Sequence, residues 1–151
     1  MTEFIVTIGL PASGKSTLAK QLVRDSDGTM KRVNRDDLRA MLDCGTPWHS
    51  GKEVWVKAFQ RHMIERLLSN GFDVICDDTN LDEELRQDWQ RLAWDCNAEY
   101  SEIDLTHIPV TVLYERDAAR EEAGLPFVGP DVIDRMYDQF FPVTERSWSP
   151  A

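Results

Sequence analysis

The chain has 151 residues, 42% of them apolar, and a formal net charge of −10. Its length suits one domain with a full hydrophobic core, so we expect a single domain over residues 1–151. No apolar run approaches the roughly 18 residues that a membrane span requires, and no secretory leader is evident, which predicts a soluble, cytoplasmic protein.

The charge is unevenly distributed, and this limits the kinds of partner that the chain can bind. Residues 1–39 carry seven basic and five acidic side chains, which leaves ten basic and 22 acidic side chains for the remainder. A protein that coats nucleic acid would carry a broad basic face, so the acidic excess argues against that class. We expect any anion site to be local and to involve the N-terminal quarter. The three cysteines lack metal-ligand spacing and are predicted to be free thiols.

Strands and helices are predicted to alternate along the chain. Apolar β-branched runs that stop at turn residues predict strands, and apolar residues at helical spacing predict helices. Alternation of this kind implies an α/β fold: a mostly parallel four-stranded sheet with helices on both faces. Ligands in such folds bind beyond the carboxyl ends of the strands. The predicted strands are 4–9, 30–33, 73–76 and 99–105; the predicted helices begin at Lys15, cover 37–43, 52–69, 110–123 and 131–140, and include one marked by Leu85, Trp89, Leu92 and Cys96.

The first predicted strand leads into GLPASGKST, residues 9–17, which is a full match to the P-loop (Walker A) pattern G-x-x-x-x-G-K-[ST]. Glycines let backbone amides converge on phosphate oxygens, and the helix that follows presents its N-terminus to the same anion. Lys15 is predicted to reach the β- and γ-phosphates of ATP or another nucleoside triphosphate, and the Ser16 hydroxyl to ligate Mg²⁺. The predicted nucleotide-binding residues are Gly9, Pro11, Ala12, Ser13, Gly14, Lys15, Ser16 and Thr17.

The second predicted strand ends in VNRDDLR, residues 33–39. Asp36 is a good candidate for a helix N-cap, where an acid is favoured by the helix dipole. A carboxylate with Arg39 on the same helix face also suits a site that deprotonates a hydroxyl and holds an anionic substrate. The pattern alone favours neither interpretation.

The third predicted strand ends in CDDTNL, residues 76–81. A carboxylate at the end of an apolar strand is where P-loop enzymes keep a second group near the magnesium ion. We assign Asp78 to that position, with contact to the metal through water, and Thr79 and Asn80 as neighbouring hydrogen-bonding groups. A simple strand-end turn is the alternative, since Asn and Asp are common turn formers.

The helix predicted at 110–123 contains ERDAAR, in which Arg116 and Arg120 lie four residues apart and project from one face. Two arginines so placed are typical of a lid that folds over transferring phosphates, here at about residues 114–127. The alternative is a solvated face on which Asp117 neutralises Arg120.

These four segments, in this order, resemble the kinase domain of phage-type polynucleotide 5′-kinases, including the kinase half of the phage polynucleotide kinase–phosphatase. VIDRMY, residues 132–137, also resembles the segment that follows the lid in that family. The similarity covers about residues 3–140, although 47–52 has no clear equivalent. No counterpart of the phosphatase half is present, so the resemblance implies a kinase-only protein, and a phage-encoded one would fit it.

The resemblance implies transfer of the γ-phosphate of ATP, or another nucleoside triphosphate, to the 5′-hydroxyl end of single-stranded DNA or RNA, with Mg²⁺. Asp36 would be the general base, and Arg39 would bind the phosphate of the terminal acceptor nucleotide. Asp78 matches the aspartate of the family's DTN segment, near the donor and the acceptor. The other implied catalytic residues are Lys15 at the donor phosphates and Arg116 and Arg120 in the lid, while Ser16 would bind the metal.

Two other functions share these features. A kinase of a nucleoside, a sugar or adenylyl sulfate would have the same P-loop and lid but a closed acceptor pocket. A regulatory module that binds ATP without transferring phosphate would not depend on Asp36 beyond its capping. Among the aromatic residues, Trp48 is a candidate for base stacking or a partly buried loop residue, whereas Trp55, Trp89 and Trp94 are predicted to pack in the interior.

Overall fold

The computed structural model describes residues 1–141, which form four strands and six helices in alternating order. Each predicted element is present within a few residues of its predicted bounds. The strands are β1 (Thr2–Ile8), β2 (Met30–Val33), β3 (Asp73–Cys76) and β4 (Ala98–Asp104), and the helices are α1 (Lys15–Asp25), α2 (Arg35–Asp43), α3 (Ser50–Ser69), α4 (Glu83–Asp95), α5 (Val110–Glu122) and α6 (Pro130–Phe140).

The four strands form one parallel sheet in the order β2-β3-β1-β4, as the alternating pattern predicts. In the register, Val6 of β1 lies beside Cys76 of β3, and Cys76 lies beside Val33 of β2. The carboxyl ends of three neighbouring strands, β2, β3 and β1, therefore lie at the same end of the sheet. The P-loop, the start of α2 and the segment after β3 therefore lie together at this end of the sheet.

Helices cover both faces of the sheet and bury its alternating side chains. On one face, Phe4 and Val6 pack with residues of α3 and α4, among them Ile64 and Trp89. On the other face, Ile5 packs with α1. A third cluster joins the carboxyl end of β1 to α5 and α6, through Ile8, Leu10, Leu81, Leu113 and Ile133.

The prediction that three tryptophans pack in the interior is confirmed for one of them and wrong for two. Trp89 is 4% exposed, whereas Trp55 is 63% and Trp94 83% exposed. Trp55 stacks on Phe59, one helical turn further along α3, with ring centroids 6.0 Å apart. The buried face of α3 is formed instead by Val56, Gln60, Ile64 and Leu68.

The three cysteines are free, as predicted, and the most buried is Cys76 at the end of β3. Burial raises the pKa of the Cys76 thiol well above its usual value. Across residues 1–141, no helix combines the length and the apolar character that crossing a membrane would need.

Candidate active site

The P-loop backbone between β1 and α1 is shaped by two conformations that ordinary residues rarely adopt. Ala12 and Gly14 have φ angles of 68° and 96°, in the left-handed region that glycine tolerates best. Gly9 is required for a different reason: a Cβ atom there would lie 2.4 Å from Ser13 Oγ. The loop is thus a tight backbone cradle ahead of a helix N-terminus, which fits a bound phosphate.

Lys15, the first residue of α1, is buried at this loop. Its Nζ atom donates to Leu10 O at 2.7 Å and lies 3.4 Å from Ser13 Oγ. Burial lowers the pKa of Lys15 to about 8, against the opposing effects of nearby carboxylates, of which Asp77 has the largest and Asp36 a smaller one. Lys15 is therefore a poorly solvated cation that an added phosphate would stabilise.

Helix α2 begins before its predicted start, at Arg35, and this changes the role of Asp36. Asn34 is the N-cap, and its Oδ1 atom accepts from the Asp37 backbone amide at 3.0 Å. The capping interpretation of Asp36 is therefore wrong. Its side chain is 86% exposed and lies in the first helical turn. Asp37 instead forms an ion pair with Arg32 of β2.

Arg39 holds one oxygen of Asp36 and is itself fixed by Glu53. Its Nη1 atom donates to Asp36 Oδ1 at 2.6 Å, while Nε and Nη2 donate to the two Glu53 oxygens at 2.9 and 2.6 Å. The hydrogen bonds from Arg39 lower the pKa of Glu53. A guanidinium has five N–H donors, so two remain for a substrate group. Glu53, from α3, was not identified from the sequence, because its contact with Arg39 spans 14 residues.

The two aspartates after β3 have different surroundings. Asp78, the predicted metal-side residue, accepts from the Arg35 amide at 2.9 Å, from Arg35 Nε at 3.2 Å and from Gln60. Asp77, which is 1% exposed, accepts from Arg32 at 2.8 Å and from Asn34 at 3.3 Å. Asp77 also pairs with Nη2 of Arg32 at 2.8 Å, so protein donors occupy both carboxylates, and Asp77 exerts the stronger electrostatic effect on Lys15.

Thr79 and Asn80 separate into different roles. Thr79 lines the cavity described below, and its carbonyl accepts from the Gly9 amide at 3.0 Å. The Asn80 side chain is buried and donates to Thr7 O at 2.9 Å while accepting from Trp89 Nε1 at 3.1 Å. The Asn80 amide thus fixes the β3–α4 turn against β1 and α4, and its assignment to substrate binding stays a prediction.

Both predicted lid arginines lie at the P-loop. Arg116 Nη1 donates to Ala12 O at 3.2 Å, and Arg120 is close enough to Lys15 to oppose its protonation. Asp117 does not neutralise Arg120. Its buried carboxylate accepts from the backbone amides of Val128 and Gly129 at 3.0 and 2.8 Å, which ties the loop after α5 to the helix.

Replacing Asp117 by asparagine is expected to lower the free energy of unfolding by about 2 kcal/mol, the scale of a hydrogen bond to a charged group. The amide can accept from one of the two backbone N–H groups but presents its own NH₂ to the other. Urea denaturation measures this decrease. Replacement of the exposed Glu115 by glutamine on the same helix is the control, and an equal effect of the two changes would contradict the role given to Asp117.

One cavity of about 590 Å³ joins these groups. Lys15, Asp36, Arg39 and Arg120 all contribute to its wall, so the side chains predicted for the donor and the acceptor face a common space. An adjoining space of about 520 Å³ lies between the P-loop and α5 and is lined by Ser13, Thr17 and Arg116. The other predicted residues that line the larger cavity are Pro11, Ala12, Gly14, Ser16, Asp78 and Thr79.

Comparison with known proteins agrees with this architecture. Residues 4–143 match the AAA domain family AAA_33. The L-seryl-tRNA(Sec) kinase of Methanococcus maripaludis is 30% identical over 149 residues, which are 95% of this chain and 55% of that protein. A protein of Autographa californica nuclear polyhedrosis virus, described as a "Putative bifunctional polynucleotide kinase/RNA ligase", is 26% identical over 93% of this chain and 21% of its own length.

A solved structure of the Pnkp1/Rnl/Hen1 RNA repair complex contains a chain with a TM-score of 0.81 and 28% identity, covering 96% of this chain and 46% of that one. The present chain thus spans about half the length, or less, of these relatives. The predicted resemblance and the predicted fold are confirmed at the level of the kinase domain. The chain belongs to the AAA domain family AAA_33, and its P-loop kinase fold is of the type found in polynucleotide kinases.

Proposed function

We propose that this domain transfers the γ-phosphate of ATP, or another nucleoside triphosphate, to the 5′-hydroxyl end of a DNA or RNA strand. One observation carries the proposal: the exposed carboxylate of Asp36 and the ammonium of Lys15 line the same cavity of about 590 Å³. A base for a hydroxyl and a cation for a phosphate are the two groups that such a transfer needs close together.

On the donor side, the P-loop cradle and Lys15 hold the β- and γ-phosphates, and the space beside α5 accommodates the nucleoside. Arg116 and Arg120 supply positive charge where the γ-phosphoryl group transfers. The chemistry that Mg²⁺ would supply when bound is to offset the negative charge of the phosphates. Ser16 and Asp77 are the residues that would hold the ion, because both line the cavity with Lys15 and Asp77 has a larger electrostatic effect on Lys15 than Asp78 has.

On the acceptor side, Asp36 takes the proton as the hydroxyl oxygen bonds to the γ-phosphorus and the bond to the departing nucleoside diphosphate breaks. Arg39 orients Asp36 through Oδ1. Among residues 1–141, no donor occupies Oδ2, which is therefore the oxygen available for the proton. The two remaining Arg39 donors can bind a phosphate of the acceptor.

A second candidate acceptor is the seryl hydroxyl at the end of a charged tRNA, favoured by the 30% identity to an L-seryl-tRNA(Sec) kinase. The chemistry at Asp36 would be the same, because both acceptors are primary alcohols at the end of a nucleic acid. Kinases of small metabolites, such as adenylyl sulfate, share the fold and need no nucleic acid.

The test compares acceptors in one assay with Mg²⁺ and γ-labelled ATP. Single-stranded DNA and RNA with a 5′-hydroxyl, the same strands with a 5′-phosphate, seryl-tRNA and adenylyl sulfate are each offered. Label on the 5′-hydroxyl strands alone is the expected result. Label on seryl-tRNA alone would establish the second candidate, and label on adenylyl sulfate alone would overturn both.

A further inference from the structure

A second cavity, of about 410 Å³, adjoins the active-site cavity. Arg35 and Thr79 line both spaces, so the two cavities share part of their wall. The first cavity holds the phosphates and the reacting hydroxyl in the proposed function. The second therefore lies next to the place where the proposed function puts the end of the acceptor.

The wall that α3 contributes to this second cavity is cationic. Lys57 and Arg61 lie four residues apart on one helix face, and both are exposed. Arg61 forms an ion pair with Glu65 at 3.2 Å, but both side chains are nearly half exposed, so the pair is weak. Lys57 forms no ion pair within residues 1–141. Such a pair of cations is unusual where basic residues after position 39 number ten against 22 acids.

Another part of the cavity lining is apolar. Leu85 of α4 and Met136 and Phe140 of α6 contribute to it. Two acids also line the cavity, but each already has a partner: Asp82 caps α4, and Asp88 pairs with Arg91. A cavity lined by cations from one helix and by apolar and aromatic side chains from two others is complementary to a single nucleic-acid strand, which offers both phosphates and bases.

We propose that this second cavity binds the acceptor strand beyond its terminal nucleotide, with backbone phosphates on Lys57 and Arg61 and a base against Met136 and Phe140. The proposal rests on the proposed function, since it places the strand relative to Asp36. It commits to a single strand, because a small acceptor would be held within the first cavity and would not reach α3. It also explains how a chain of net charge −10 can bind a polyanion, because the strand contacts only a small surface that carries a few cations.

Changing Lys57 and Arg61 together to glutamine tests this placement, because the change should affect the KM of a long acceptor and leave the KM of a short one unaltered. For an oligonucleotide with a 5′-hydroxyl, KM is expected to rise severalfold, with kcat and the KM for ATP unchanged. For a nucleoside 3′-phosphate, which fills only the first cavity, KM is expected to stay the same. The slope of log Kd against log salt for the strand is expected to fall by about 1.4, at about 0.7 for each phosphate that the variant no longer neutralises.

The matched control changes Lys20 and Arg24 to glutamine, which removes the same charge at the same spacing from the exposed face of α1, away from both cavities. Thermal unfolding of both double variants verifies that they are folded. A rise in KM equal to that of the control, or equal for the two acceptors, would overturn the placement.

Binding of a strand with a fluorophore at its 3′ end, followed by anisotropy, separates this proposal from the proposed function because it requires no phosphate transfer. Weaker binding in the Lys57/Arg61 variant, with no transfer to any acceptor by the unaltered protein, would support the strand site and contradict the kinase assignment. Phosphate transfer by the unaltered protein, together with strand binding by the Lys57/Arg61 variant that is as tight as that of the unaltered protein, would support the kinase assignment and contradict the strand site.

Discussion

Replacement of Asp36 by asparagine is expected to lower kcat about 10²- to 10⁴-fold, the usual contribution of a positioned general base. The change removes the group that accepts the hydroxyl proton but retains the shape of the side chain and a hydrogen-bond acceptor for Arg39. Stability should change little, because Asp36 is 86% exposed and Asn34, not Asp36, caps α2. Single-turnover transfer to a 5′-hydroxyl strand measures the chemical step directly.

Asp37 provides the matched control for this experiment. It is the next residue on the same helix, lines the same cavity and is 68% exposed. Asp37→Asn removes an equal charge, while the cap is retained because Asn34 bonds the backbone amide of residue 37. We expect transfer by this variant to stay within a few-fold of the unaltered protein. Equal losses in both variants would mean that the local negative charge matters and that Asp36 is not the base.

The elements and the position of the site were predictable from the sequence because their signals are local. The P-loop pattern lies between an apolar strand and an amphipathic helix, and both flanks are where the pattern requires them. Parallel pairing then places Val33 and Cys76 at the same end of the sheet as the P-loop. The convergence of Lys15 and Asp36 on one cavity follows from this topology.

The contacts that decide which residue does what were not predictable, because they join distant parts of the chain. Asp117 is satisfied by amides 11 and 12 residues later, so its apparent pairing with Arg120 was misleading. Asp77 and Asp78 are neighbours with equal chemistry, and only their partners from β2, α2 and α3 distinguish them. Sequence spacing carries no information on such partners.

The exposed aromatic residues of α3 show that the sequence also could not predict which face of this helix is buried. Helix α3 carries apolar residues on several faces, so periodicity alone could not separate the buried stripe from Trp55 and Phe59. The buried face includes Gln60, whose amide bonds Asp78. Gln60 therefore occupies a buried position because it supports Asp78 in the candidate active site, while the larger apolar residues Trp55 and Phe59 are exposed.

Replacement of Lys15 by methionine is expected to lower kcat about 10²- to 10³-fold, the usual cost of removing one group that stabilises transition-state charge. It is also expected to abolish a pH dependence of ATP binding. The pKa of Lys15 is about 8, principally because of burial, so the ammonium that attracts phosphate is lost as pH rises through that value. ATP affinity of the unaltered protein should fall by up to about tenfold per pH unit above pH 8.

The effect on stability has the opposite sign and distinguishes this lysine from an exposed one. Between pH 8 and 10.5 the unfolded chain keeps the Lys15 proton while the folded chain releases it, so this residue makes stability rise with pH across that window. Lys15→Met removes that rise, whereas Lys20→Met, an exposed position on the same helix, should preserve it along with the pH dependence of binding. Calorimetric titration of ATP and urea denaturation from about pH 6.5 to about pH 10 measure both effects. An ATP affinity of the unaltered protein that stays constant from about pH 7 to about pH 9.5 would contradict the assignment, because a buried Lys15 that meets the phosphates must be protonated to hold them.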